Sequence, residues 1–260
     1  YTASSTNVGL MQPAVDGQGN AWVGEMNTNR LCRLNSHTGK VTTWEPPQAA
    51  SGIMTTAIDS SGNVWFVEQA ANYIGRFDPV RQTFRTFPLG TVHGQTMEPQ
   101  TLLFDASGSL WFTEISGYIG RLNPITGAIQ TWPIAGGSPY SLTVTSDGQV
   151  WFGNAAKGIG HLDPHTGHVT LFPVADEKAI VFSMAHDTKG HIWFTEISQG
   201  KLGMFDPTTN KVTELQVPTP PGTSAWLYGI VVLHNNDVWF AIHQTAQHIR
   251  FFSFLLNHMV

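Results

Sequence analysis

A Trp-centred segment returns six times along this chain of 260 residues, as NAWVGE, NVWFVE, SLWFTE, QVWFGN, HIWFTE and DVWFAI. Its anchors are Trp22, Trp65, Trp111, Trp151, Trp193 and Trp239, spaced 43, 46, 40, 42 and 46 residues apart. A unit of that length cannot bury its own apolar face and must stack on its neighbours, so the period constrains the fold before any chemistry is considered. The repeats run approximately over 9–47, 52–90, 98–135, 139–175, 181–218 and 227–260, with no linker between them, and predict one domain over 1–260.

Within a repeat the pattern is that of short strands. In the second copy Ile53 to Ile58, Val64 to Glu68, Tyr73 to Phe77 and Thr83 to Phe87 are rich in β-branched and aromatic residues and closed by turn residues. The turn between the first two strands recurs as Asp16-Gly17-Gln18-Gly19, Asp59-Ser60-Ser61-Gly62, Asp105-Ala106-Ser107-Gly108 and Asp187-Thr188-Lys189-Gly190, where a carboxylate accepts turn amides and glycine takes positive φ. The turn between the last two recurs as Asn123-Pro124 to Gly127, Asp163-Pro164 to Gly167 and Asp206-Pro207 to Asn210, with proline fixing φ. No apolar period near 3.6 accompanies a capping signal, so almost no helix is expected. Four antiparallel strands per repeat, radially arranged, predict an all-β propeller with six visible blades, either closed as six or part of seven. A linear solenoid would need polar caps that neither end supplies. The sixth copy degrades after its second strand, and Tyr1 to Asn7 reads as the tail of a preceding unit. The chain starts without Met, so a leader has been removed or the numbering starts inside a longer protein.

A small residue recurs in the third strand as Gly75, Gly120, Gly160 and Gly203, with Cys32 at that place in the first copy. It is expected to let neighbouring sheets approach, with Cys32 in a packing role. One cysteine excludes an internal disulfide and any multi-cysteine metal site. Thirteen Lys and Arg against eighteen Asp and Glu give a net charge of −5, with the basic residues scattered, so nucleic acid is not an expected partner. No run approaches the length of a membrane span, and a soluble monomer is expected, its compartment left open between cytoplasm and exterior.

In a hairpin the start of the first strand and the end of the second share an edge. The glutamates Glu25, Glu68, Glu114 and Glu196, with Asn154 and Ile242 at the matching places, should therefore gather on one face. There they can bind a cation, orient a ligand or accept loop amides. The connection before the third blade adds His93, Glu98 and Gln100; Glu98 leads into the first strand while Glu114 ends the second, a pair suited to a divalent cation with open water positions. A second long connection, Val217 to Tyr228, brings Trp226 and Tyr228 as an aromatic wall for a planar or cyclic small ligand. His37, His161, His165, His168, His191 and His234 fall at turns or at a third-strand position and read as solvated or packed; no zinc pattern, nucleophile elbow, Walker sequence or EF-hand loop occurs.

The tandem Asp-x-x-Gly-x-Leu/Val/Ile-Trp-Phe-Thr-Glu, Ile-Gly-Arg-Leu/Phe-Asn/Asp-Pro-x-Thr-Gly and closing Trp/Phe-Pro pattern, best kept at Ser109 to Pro133 and His191 to Thr213, resembles the virginiamycin B lyase family. The resemblance covers roughly Leu10 to Phe252 and implies a seven-bladed propeller. It also implies Mg2+-dependent elimination that opens a cyclic depsipeptide antibiotic at its ester, a histidine removing the α proton while the cation stabilises developing charge. Glu98 and Glu114 match the two carboxylates of the family's catalytic blade, but Gln100 stands where the base histidine is expected, and an amide is no base. The places fourteen residues before each Trp-Phe-x-Glu terminus hold Met11, Met54, Gln100, Tyr140, Phe182 and Tyr228. His93 is the best internal substitute, with His186 after a register shift as another. Three readings follow: a family-like propeller that binds a small ligand, an active metal-dependent lyase or hydrolase of a cyclic ester using Glu98 and Glu114, and a structural or protein-interaction propeller.

Overall fold

Alternating faces and Asp-Gly turns fold each repeat into an antiparallel meander whose strands pair in sequence order. The computed structural model describes residues 9–10, 12–92, 94–155, 157–218, 225–244 and 248–254, and among these there is no helix. The chain divides into two compact units, 1–133 and 134–260. The first contains a sheet of β1 (Ala14–Val15), β2 (Ala21–Glu25), β3 (Arg30–Leu34) and β4 (Val41–Trp44). A second sheet holds β5 (Ile53–Ile58), β6 (Val64–Glu68), β7 (Tyr73–Asp78) and β8 (Thr83–Pro88), and a small hairpin of β9 (Thr91–Val92) and β10 (Gln95–Thr96) follows. The third comprises β11 (Pro99–Phe104), β12 (Leu110–Glu114), β13 (Tyr118–Leu122) and β14 (Ile129–Pro133).

The second unit repeats the plan with β15 (Pro139–Val144), β16 (Val150–Asn154), β17 (Gly158–Leu162) and β18 (Val169–Phe172), then β19 (Val181–His186), β20 (Ile192–Glu196), β21 (Lys201–Asp206) and β22 (Lys211–Gln216). Its last sheet has three described strands, β23 (Ala225–Val232), β24 (Val238–Gln244) and β25 (His248–Phe254); the expected fourth strand, Tyr1 to Asn7 and Met11 lie outside the described residues.

Packing follows the alternation of the second strand. Within each unit the Trp face of one sheet meets the Val/Phe face of the next: Trp22 packs with Val64, Phe66 and Phe77, Trp65 with Leu110, Phe112 and Leu122, Trp151 with Ile192, Phe194 and Phe205, and Trp193 with Val238 and Phe240. Each fully buried tryptophan removes enough apolar surface to be worth on the order of 5 kcal/mol before entropy is counted. Trp239 is the anchor that stays 36% exposed.

The recurrence of tryptophan with the turn aspartate has a bonding reason. One oxygen of each carboxylate accepts turn amides, as from Ser61 and Asn63 to Asp59, and the other accepts an indole N–H: Trp22 to Asp16 at 2.9 Å, Trp65 to Asp59 at 2.9 Å, Trp111 to Asp105 at 2.7 Å and Trp193 to Asp187 at 3.1 Å. A buried indole donor is thereby satisfied while its ring fills the core. In the fourth repeat Thr145 replaces the aspartate, and the Trp151 ring meets His161 in a tilted contact at 4.5 Å, where Arg33, Arg76 and Arg121 lie over the tryptophans of the first three repeats.

The third-strand glycine serves a neighbour inside its own sheet, which differs from the expectation of sheet-to-sheet approach. A Cβ at Gly75, Gly120, Gly160 or Gly203 would lie 2.0–2.2 Å from the ring of Phe66, Phe112, Phe152 or Phe194, the residue directly across on the second strand. The first repeat has Val23 opposite Cys32, a shorter apolar side chain facing a larger partner, so the volume exchange is conserved. Cys32 is buried, and burial first, then the adjacent Glu25 carboxylate, pushes its thiol up to about 12, which agrees with a packing role.

Candidate functional site

In five of the six blade sheets the first strand carries a register break close to its start: between Ile53 and Thr56, Pro99 and Leu102, Pro139 and Ser141, Val181 and Ser183, and Leu227 and Ile230. A bulge adds a residue to one strand and re-aims its side chain. The bulged stretches contain Met54, Gln100, Tyr140, Phe182 and Tyr228, the places singled out by their spacing from Trp-Phe-x-Glu. Hydroxyls of neighbouring sheets hold them. Thr55 Oγ1 donates to the Gln100 carbonyl, Ser141 Oγ to the Val181 carbonyl at 3.3 Å, and Thr195 Oγ1 to the Tyr228 carbonyl at 3.0 Å.

In the first unit Gln100 is buried and its Oε1 accepts Gln69 Nε2 at 2.6 Å. Its side chain is therefore anchored as an acceptor and has no proton-accepting role to offer near neutral pH. In the second unit the same positions are aromatic. The Tyr140 and Phe182 rings lie 6.4 Å apart and Phe182 meets Tyr228 edge-on at 5.5 Å. Trp226, two residues from Tyr228 on the same strand, is 41% exposed and Tyr228 38% exposed, whereas Leu227 between them is buried. Trp226 and Tyr228 thus share the open face of β23.

The carboxylates sit deeper than a lining of an open mouth would. Glu25 is 3% exposed, and Glu68, Glu114 and Glu196 are fully buried, as are Asn154 and Ile242 at the matching places. Glu25 accepts the Thr28 hydroxyl and lies beside Cys32. Both oxygens of Glu68, Glu114 and Glu196 lack a hydrogen-bond donor among the described residues. Burial pushes Glu114 up to about 8 and Glu68 up to about 7; the Ser51 hydroxyl near Glu68 opposes that rise but donates to Asn29 Oδ1. Glu196 is also raised to about 7, by burial and then by the negative charge of Glu214, which Lys201 Nζ holds at 2.7 Å. At the matching place Asn154 is half satisfied: its Oδ1 accepts the Ser138 amide at 2.6 Å, while its buried Nδ2 finds no acceptor among the described residues.

Glu98 is exposed at the entry to β11 and adopts φ +52°, where the corresponding residues in the first two repeats are Gly9 at +62° and Gly52 at +64°. A non-glycine residue in that region costs about 1 kcal/mol or more, and such strain gathers at functional positions. Its carbonyl accepts the Ile115 amide at 3.1 Å and Pro99 pairs with Glu114, so Glu98 and Glu114 occupy the same end of one hairpin. Among the described residues no three His, Cys, Asp or Glu side chains are grouped to hold a metal. Both oxygens of buried Glu114 are without a donor among the described residues, and exposed Glu98 stands at the same end of that hairpin.

His93 lies outside the described residues. His186 ends β19 next to the turn, with Nδ1 2.9 Å from Thr143 Oγ1, and burial lowers its pKa. Five residues of strand separate it from Val181, about 16 Å. It is therefore at the opposite end of the strand from Phe182 and does not replace Gln100. No spacing in the sequence marked Gln69 as the partner of Gln100, since Gln69 stands in the turn after β6 and Gln100 on β11, 31 residues apart.

A family model described as the virginiamycin B lyase family matches residues 1–251. Among solved structures, virginiamycin B lyase from Staphylococcus aureus is 25% identical with a TM-score of 0.81, over 98% of this chain and 87% of that one. A streptogramin B lyase is 24% identical at 0.82, over 98% and 86%. A catalytically inactive histidine-to-alanine variant of the Staphylococcus aureus lyase with quinupristin is 25% identical at 0.81, over 100% and 88%. No curated protein sequence matches the chain. With the four-stranded meanders, these likenesses show an all-β propeller fold.

Proposed function

Since the chain belongs to the virginiamycin B lyase family, we propose that it is a ligand-binding propeller of that family, taking a planar or cyclic small molecule and carrying out no elimination on it. The observation that carries this reading is the content of the bulged first strands. Where the base histidine is expected, Gln100 is tied to Gln69, and the matching places in the second unit form the Tyr140, Phe182, Tyr228 cluster beside exposed Trp226. Rigid rings give large contact area at small entropy cost, and edge-on packing holds them ready for a flat or macrocyclic partner. An inactive relative has lost a histidine by substitution and was crystallised with quinupristin, so loss of activity with a histidine and retention of ligand are compatible in this fold.

Titration with quinupristin, read by tryptophan fluorescence and calorimetry, tests the binding half of the proposal. Saturable binding that weakens at least tenfold in Tyr228→Ala and Phe182→Ala is expected. Binding unchanged in both variants would remove the aromatic cluster from the site.

A second reading keeps the enzyme. Glu98 in a glycine conformation and the orphaned oxygens of Glu114 favour a magnesium ion between them. When bound, such an ion would stabilise the negative charge that develops as an ester opens. Glu114 would have to give up its proton to bind the cation, so occupancy would rise with pH. Magnesium-dependent thermal stabilisation that Glu98→Ala abolishes would support this reading, and no shift at any pH from 6 to 9 would dismiss it.

A further inference from the structure

Far from the glutamates, at the turn end of the first unit, two arginines face each other across neighbouring strands. Arg76 on β7 pairs directly with Arg85 on β8. Like charges directly opposite on a sheet repel, and the other repeats avoid the arrangement. Arg33 faces Thr42, Arg121 faces Gln130 and donates Nη2 to its Oε1 at 3.0 Å, His161 faces Thr170, and Met204 faces Thr213. Neither Arg76 nor Arg85 joins an ion pair among the described residues, and the buried Nε of Arg76 has no acceptor.

Both guanidiniums line a cleft of about 650 Å³ between the turns of the second and third repeats. Their planes are held from behind, Arg76 over Trp65 at 5.6 Å and Arg85 over Phe87 at 4.5 Å. The carboxylates of Asp59 and Asp105 line the same cleft, but they are spent. Asp59 accepts amides of Ser61 and Asn63, the Asn63 side chain and the Trp65 indole; Asp105 accepts Ser107, Ser109 and Trp111. They nevertheless bring the four charges to zero, which penalises a dianion more than a monoanion.

We propose that this cleft binds the carboxylate of a small organic acid, bridged by the Arg76 and Arg85 guanidiniums. A planar monoanion matches two planar donor forks and relieves the repulsion between them. Ser61 and Ser107 at the rim suit hydroxyls on the body of such an acid.

The test follows the Arg76 Nε–Hε resonance of the whole 15N-labelled chain during addition of glucuronate, with glucose, sodium chloride at matched ionic strength and phosphate as parallel titrations. A saturable shift with glucuronate, none with glucose or chloride, weaker binding of phosphate, and at least tenfold weaker glucuronate binding in Arg85→Thr are expected. Threonine already occupies the matching place in three other repeats, and an unchanged amide spectrum elsewhere would confirm the variant's fold. An equal response to chloride, tighter binding of phosphate, or an unaltered glucuronate affinity in Arg85→Thr would each overturn the assignment. The quinupristin experiment reads the other end of the sheets, so either proposal can fail alone.

Discussion

Replacing Glu68 by glutamine should change how stability depends on pH. The Glu68 carboxyl is fully buried with neither oxygen hydrogen-bonded, and burial raises it from 4.5 to about 7. Below pH 4.5 the group is protonated in both folded and unfolded chains, so its contribution is complete there. Between pH 4.5 and 7 the folded chain keeps a proton that the unfolded chain releases, and stability falls by about 1.4 kcal/mol per pH unit. The total loss is about 3 kcal/mol, reached above pH 7. Glutamine has nearly the same shape and no proton to lose, so Glu68→Gln should match the wild type near pH 4 and exceed it by about 3 kcal/mol at pH 8. Urea unfolding of both proteins at unit pH steps from 4 to 8 measures the difference directly. Parallel curves, with the variant neither gaining on the wild type as pH rises nor flattening its slope, would refute the claim that this carboxyl is buried without a donor.

Gly120→Ala should destabilise the first unit by about 1–3 kcal/mol because its Cβ would lie 2.1 Å from the Phe112 ring. Adding Phe112→Val should recover most of that loss in a thermal unfolding series, since Val23 opposite Cys32 already shows the exchange. Asp105→Ala removes the acceptor of the Trp111 indole and of three turn donors. It should cost about 2–4 kcal/mol, read by urea unfolding, whereas Thr145→Ala at the matching turn, which bonds no indole, should cost less than half as much.

The sheets were legible because the signal is local: hydrophobic alternation, Asp-Gly turns and a fixed spacing describe hairpins whose partners lie a few residues away. The indole bond was also within reach, since Asp and Trp stand six residues apart in four repeats, yet turn chemistry alone accounted for the aspartate and hid its second oxygen. The burial of Glu68, Glu114 and Glu196 was less accessible. Parity along the second strand puts each glutamate on the same side as the phenylalanine, hence into the packing between sheets, but turn and strand signals say nothing of how completely that packing closes over a carboxylate. The bulges of the first strands depend on hydroxyl bonds such as Thr55 to Gln100 that cross between sheets. The spacing of fourteen residues therefore found the positions, and only the structure showed that Gln69 anchors one while rings from three consecutive repeats meet at three more.

Incubation of the native chain with quinupristin and magnesium, followed by chromatography and mass spectrometry, tests the central claim most directly. Elimination opens the ring without adding water, so a product would keep the substrate's mass and change its retention, whereas hydrolysis would add the mass of water. Bound, unaltered quinupristin recovered in full after denaturation is expected. A ring-opened species that accumulates with time and depends on the protein would contradict it.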